Sequence, residues 1–170
     1  QVPLDPESLK PLVLDKLTKA YTKDAAFMQL LNKSIPLQAV QDEVFDLVYL
    51  AGGHGTVYDF PNDFILQRLI QQHVARDKKI AAICHGVCGL LNVKTVTGDY
   101  FIQNKKLTGF SWFEERLAGR RNQVPFNLEN ELKVRKANYT KALIPMTSKV
   151  VVDGNLITGQ NPFSSKEMAN

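Results

Sequence analysis

Apolar residues run through this chain in two periodicities. Phe45 to Leu50 and Lys79 to Ile83 are short, nearly continuous apolar runs, the pattern of buried strands. The first runs into Gly52-Gly53-His54-Gly55 and the second into Cys84-His85-Gly86. Between them, Pro61 to Ala75 places Phe64, Ile65, Leu69, Ile70 and Val74 on one broad helical face, with Asn62 or Asp63 available as the cap. Further helices are predicted at Asp5-Pro6-Glu7-Ser8, where Asp5 caps and Pro6 takes the first position, at Asp24 through Asn32, and at Gly86 to Leu91. Two more are predicted from a Ser111 cap through Leu117, and as a surface helix over Asn127 through Arg135. Short strands are expected around Thr95-Val96 and Tyr100-Phe101-Ile102, on either side of a Gly98-Asp99 turn, and at Lys106-Leu107-Thr108. Lys149 to Val152 and Leu156 to Thr158 flank Asp153-Gly154 as a β-hairpin.

Strands alternating with helices predict an α/β layer fold with a mostly parallel sheet. Ligand sites in such sheets lie beyond the carboxyl ends of the strands. Both glycine turns follow buried strands, so they should meet at one edge. A length of 170 residues, 44% of them hydrophobic, suits one globular domain with a real core.

The net charge of +4 is spread out, with small clusters at Arg116, Arg120, Arg121 and at Lys133, Arg135, Lys136. These read as solvated helix faces, and a nucleic-acid partner is not expected, because no dense basic stripe with interleaved aromatics is present. No apolar stretch approaches the roughly 20 residues that span a bilayer, and Gln1-Val2-Pro3-Leu4-Asp5 is no signal peptide. No membrane partner is expected either. Cys84 and Cys88 are the only cysteines, which argues against a disulfide framework and for a reducing, cytoplasmic setting.

The chemistry concentrates at Ala82-Ile83-Cys84-His85-Gly86. An apolar strand that stops at a cysteine, followed by a histidine and a glycine, is how a nucleophile elbow is written. A helix after Cys84 would help to stabilise its thiolate, and a neighbouring histidine can take the proton. His85 then needs an acid to set its tautomer. Glu114 and Glu115 are the candidates, although on chemistry alone they read as an exposed, acid-rich first helical turn. Gly52-Gly53-His54-Gly55 can aim backbone N–H groups at a developing oxyanion, and it lacks the Lys-Ser/Thr of a phosphate loop. His54 either contacts substrate or caps that turn. Cys88 reads as core. Cys84, His85 and Cys88, with only His54 and His73 besides, match no zinc spacing, so no metal is expected.

Ala51-Gly52-Gly53-His54-Gly55, Ala82-Ile83-Cys84-His85-Gly86, Leu107-Thr108-Gly109-Phe110 and Asp153-Gly154-Asn155-Leu156-Ile157-Thr158-Gly159-Gln160-Asn161-Pro162 together resemble the ThiJ/PfpI superfamily, relatives of the class I glutamine amidotransferases. Leu4-Asp5-Pro6-Glu7-Ser8 and Pro125-Phe126 with Leu128-Glu129-Asn130-Glu131-Leu132 resemble its heat-shock chaperone and class III glyoxalase branch. The resemblance implies a flavodoxin-like three-layer sandwich, usually a homodimer, and a Cys-His-acid triad. Cys84 matches the nucleophile, His85 the histidine and Gly53 the oxyanion-loop glycine; Glu115 matches the acid better than Glu114. The oxyanion donors would be Gly53 and His85, with His54 and Gly52 against the substrate.

The implied activity is cofactor-independent conversion of methylglyoxal, or a similar 2-oxoaldehyde, to a hydroxy acid, with protein deglycase or chaperone activity beside it. Alternatives are a holdase chaperone or redox sensor without turnover, and an amidohydrolase or peptidase using the same triad. Relatives carry a strand, a helix and a second strand ahead of the segment matching Leu4-Asp5-Pro6, and a final helix where this chain reaches Asn170. The chain is therefore expected to be a single domain over residues 1–170 without those elements, and Ala51 stands where relatives often have proline.

Overall fold

The computed structural model describes residues 16–170 and divides into two compact units, Gln1–Val40 and Gln41–Asn170. The helix expected at Asp5-Pro6-Glu7-Ser8 lies outside the described residues. In the first unit, α1 (Lys16–Tyr21) is followed by α2 (Ala25–Asn32) and a 3-10 turn at Leu37–Val40. The Asp24 carboxylate caps α2 by accepting from the N–H groups of Ala26 at 2.8 Å and Phe27 at 3.2 Å. The rings of Tyr21 and Phe27 meet across the intervening turn, with centroids 4.6 Å apart.

The second unit is built on a four-stranded sheet in the order β1 (Leu47–Leu50), β2 (Lys79–Ile83), β6 (Leu156–Gly159), β5 (Val150–Asp153). β1, β2 and β6 run parallel, and β5 returns antiparallel to β6. A smaller parallel pair joins β3 (Lys106–Leu107) to β4 (Asn138–Tyr139). The helices are α3 (Thr56–Asp59), α4 (Phe64–Ala75), α5 (Trp112–Leu117), α6 (Leu128–Val134) and α7 (Ser165–Met168). This is an α/β fold with a mostly parallel sheet and helices on both sides, the flavodoxin-like arrangement.

Its core is centred on β2. The buried strand expected over Phe45 to Leu50 is not one: β1 ends the sheet order among the described residues, and Leu47 and Tyr49 are exposed while Leu50 alone of the strand is buried. Ile80, Ala81, Ala82 and Ile83 of β2 are all buried, as an inner parallel strand requires. The register pairs Leu50 with Ala82 and Ala82 with Thr158, so the strand ends align and release their loops at one edge.

Several elements differ from expectation in instructive ways. α4 starts at Phe64 on an Asp63 cap, with Pro61 in a preceding 3-10 turn. Its buried stripe is Leu66, Leu69, Ile70 and His73, and Phe64 is 80% exposed. His73 can be buried because both ring nitrogens are satisfied: Nδ1–H donates to the Leu69 carbonyl at 2.7 Å and Nε2 accepts from the Phe45 N–H at 2.9 Å. Residues 95–102 form no strands. Thr95, Thr97 and Asp99 bond one another through side chains, closing a tight turn that leaves one bridge, Lys94 to Tyr100.

The segment after Cys84 is a 3-10 coil, Cys84–Leu90, not an α-helix. The hairpin forms with Asp153 paired to Leu156, so Gly154 and Asn155 occupy the turn and Gly154 takes φ 59°.

Candidate active site

Cys84 follows the last residue of β2 and takes φ 56°, in the left-handed region that side-chain-bearing residues seldom occupy. This is the elbow. What holds it is a pair of close approaches. A Cβ on Gly86 would stand 2.6 Å from the Ala51 carbonyl oxygen, closer still to that of Leu50. A Cβ on Gly52 would meet Cys84 Cβ at 2.8 Å and the Ile83 carbonyl oxygen at 2.9 Å. Glycines at these positions let the end of β1 and the elbow touch backbone to backbone.

The side chains then form a line. Cys84 Sγ lies 3.5 Å from His85 Nδ1, and His85 Nε2 lies 2.6 Å from Glu115 Oε2. The other carboxylate oxygen, Oε1, lies 2.8 Å from His54 Nε2. The His54 and His85 rings are 4.3 Å apart, and Phe110 closes the other side with its ring 4.6 Å from that of His85. Cys84, His85 and Glu115 are buried, while the His54 side chain is 35% exposed and is the member nearest to solvent.

The electrostatics fix the resting protonation. Burial works to raise the Glu115 carboxyl, but hydrogen bonds from His54 and His85 outweigh it and bring it down to about 2. Burial pulls the His85 imidazole below its ordinary range, against the opposing pull of Glu115. Burial pushes the Cys84 thiol up to about 12; the charges of Glu114 and Glu115 push the same way, and the N–H groups of His85 and Gly53 oppose. An acidified resting thiolate is thus replaced by a thiol beside a neutral imidazole. The carboxylate can only accept, so His85 carries its proton on Nε2 and presents the Nδ1 lone pair to sulfur.

The residues read from the sequence converge here. The N–H groups of Gly53, at φ 127°, and of His85 both point to Cys84 Sγ. His54 is not a turn cap, because its ring is committed to Glu115. Cys88 is fully buried core with its thiol raised by desolvation.

Glu114 and Glu115 are not exposed: both lie inside, on the first turn of α5, behind a Ser111 capping box. Glu114 never reaches the histidines. It accepts from Ser111 N at 3.1 Å, Ser111 Oγ at 2.8 Å, Met146 N at 2.9 Å and Asn161 Nδ2 at 2.8 Å. Phe110 was missed as a wall of the site; the available signal was its place directly after the Thr108-Gly109 strand end. Among the described residues, those grouped so that they could hold a metal are His54, His85 and Glu115, whose ligand atoms lie within 4.8 Å of one another. Among the described residues no helix is long and apolar enough to cross a membrane.

A mostly parallel sheet carrying a cysteine elbow at its carboxyl edge defines a flavodoxin-like α/β protein. The DJ-1/PfpI family matches residues 28–170, and the chain belongs to that family.

It is 30% identical to the glutathione-independent glyoxalase hsp3101 of Schizosaccharomyces pombe over 97% of this chain and 71% of that protein. The chain spans only 59% of the probable glutathione-independent glyoxalase hsp3103 of Schizosaccharomyces pombe and 64% of the glutathione-independent glyoxalase HSP31 of Saccharomyces cerevisiae. Among solved structures, the Rapid Encystment Protein of Francisella tularensis superposes with TM-score 0.90 at 36% identity, over 99% of this chain and 74% of that one. The glyoxalase III of Candida albicans superposes with TM-score 0.88 at 26% identity, over 98% of this chain and 73% of that one.

Proposed function

We propose that the chain is a cysteine-dependent glyoxalase that needs no glutathione, converting a small 2-oxoaldehyde such as methylglyoxal to its 2-hydroxy acid. The observation that carries this reading is the line Cys84–His85–Glu115, with Sγ 3.5 Å from Nδ1 and Nε2 2.6 Å from the carboxylate. The names of the relatives in two yeasts and in Candida albicans point the same way.

The steps follow from the groups. His85 Nδ1 takes the thiol proton as Sγ bonds to the aldehyde carbon, then passes it to the aldehyde oxygen, which becomes the hydroxyl of a hemithioacetal and leaves Nδ1 free to act as a base. The Gly53 and His85 N–H groups, already aimed at sulfur, stand beside the oxygen that gains charge. His85 then removes the proton on the former aldehyde carbon, giving an enediol, and returns it to the neighbouring carbon, leaving a thioester. Water cleaves the thioester and restores the thiol. The net change adds one water to the aldehyde, which is the hydro-lyase balance. In this scheme Cys84 is the nucleophile, His85 the proton carrier and Glu115 the residue that orients it. His54 and Gly52 border the substrate.

The family match crosses both compact units, from residue 28 to 170, which supports reading the chain as one domain. A homodimer in the cytoplasm belongs to the same reading. The test is lactate formation from methylglyoxal without glutathione, by the wild type and by Cys84→Ala. The wild type should turn over and the variant should not; two rates equal to buffer background would end the proposal.

A further inference from the structure

We propose that His54, His85 and Glu115 bind a divalent transition-metal ion of the zinc class, and that this ion switches the proton relay off by taking the lone pair that the relay requires on the wrong side of the His85 ring. The ligand set consists of two imidazole nitrogens and one carboxylate, a set that zinc accepts together with a water. These atoms come from three separate segments: the loop after β1, the elbow and α5.

The distances allow the exchange. The two nitrogen–oxygen separations are now 2.8 Å and 2.6 Å, those of hydrogen bonds. Ligands about 2.0–2.2 Å from a tetrahedral zinc stand about 3.3 Å apart. Those two contacts open by roughly half an ångström, and because the three ligand atoms already lie within 4.8 Å of one another, no pair has to close by more than about 1.5 Å. Once its bond to Glu115 opens, His54 is the member with room to rotate: its side chain is 35% exposed, and it has glycine on both sides.

The consequence at His85 is a change of tautomer. In the relay, the His54 and His85 Nε2 atoms both face Glu115. A metal on Nε2 requires the lone pair there, so the ring proton of His85 lies on Nδ1. For His85 that Nδ1 faces Cys84 Sγ at 3.5 Å. The nitrogen that accepted the thiol proton becomes an N–H donor to sulfur. The sulfur faces the opposite nitrogen from the metal, so Cys84 lies outside the ligand set.

Binding is tested apart from the glyoxalase reading, on which only the inhibition rests. Zinc titrated into the full chain against a chromophoric chelator should show one ion per chain. His54→Ala should weaken binding by more than about 100-fold, beyond the loss typical of an outer-shell partner. Cys84→Ser should bind like the wild type. Equal affinity in His54→Ala, or loss of binding in Cys84→Ser, overturns the assignment.

Cobalt(II) added to the wild type needs no variant. Visible d–d bands without an intense near-ultraviolet band support the nitrogen–oxygen set, and an intense thiolate-to-cobalt band overturns it. Where the metal-free protein turns over methylglyoxal, one equivalent of zinc should abolish the rate, and a chelator should restore it. An unchanged rate with zinc bound would overturn the switch.

Discussion

Glu114 and Glu115 are adjacent in the first turn of α5, both are buried, and they serve separate networks. Successive helical residues point about 100° apart, so one carboxylate faces the histidines and the other faces the loop around Met146 and the side chain of Asn161. Glu115 bonds to both His54 and His85. Glu114 ties the start of α5 to the segments that flank β5 and β6.

Glu114→Ala should therefore behave as a folding lesion. It removes the far half of the capping box, so the buried Ser111 N–H loses its acceptor, and Met146 N and Asn161 Nδ2 each lose a charge-assisted bond. Together these losses should cost about 2–3 kcal/mol. Urea unfolding at neutral pH measures it, and a loss below about 1 kcal/mol would contradict the role given to Glu114.

Glu115 carries a pH signature. Its folded carboxyl sits at about 2 against an ordinary 4.5, so its stabilisation is complete above 4.5 and is lost as pH falls from there toward 2. The whole window is worth at most about 3 kcal/mol. Glu115→Gln lacks that titration, so the stability gap between variant and wild type should shrink across the window. A gap of the same size at both ends would refute the hydrogen-bonded carboxylate. Activity should fall by about four orders of magnitude if the amide favours the wrong His85 tautomer.

How much of this could be read beforehand depended on what signal each feature leaves. β2 was legible residue for residue, because an inner parallel strand is apolar throughout. The elbow was legible because a strand ending in Cys-His-Gly has few other uses. The burial of Glu115 was not, since an acidic first turn suits an exposed helix equally well. It is buried by partners 30 and 61 positions away. The face of α4 was rotated in the reading because His73, a polar residue, fills a core position that apolar counting skips. The resting state of the thiol also escaped, because desolvation is set by everything packed around Cys84 and the local motif suggests only acidification.

The thiol state makes its own test. With the thiol near 12 and His85 held below its ordinary range, alkylation by iodoacetamide should be slow at neutral pH and rise toward alkaline pH without levelling off. A plateau centred below about pH 7 would mean a preformed thiolate and imidazolium, contrary to the burial argument.

The backbone of the elbow predicts a contrast between two substitutions. Cys84→Ala and Cys84→Gly should both be inactive, but glycine adopts φ 56° freely. Cys84→Gly should be the more stable by about 1 kcal/mol. The reverse order would show that Cβ packing outweighs the strain.

Glycines near the elbow should fail for different reasons. Gly86→Ala drives a methyl into the Leu50 and Ala51 carbonyls and should lower the melting temperature. Gly53→Ala has open space around it but must hold φ 127°, so its cost is backbone strain of about 1–3 kcal/mol. It should cut kcat by about a hundredfold if its N–H turns away. Equal thermal losses with normal kcat in Gly53→Ala would remove that amide from the chemistry.

The contact of Gly86 with the end of β1 bears on how the pocket can breathe. The cysteine rides on a joint pressed against two carbonyls of the neighbouring strand, so it cannot swing without separating the sheet. The Gly53-His54-Gly55 loop has open space about both glycines. The site therefore has a fixed floor, and the His54 side chain, 35% exposed, forms its boundary with solvent.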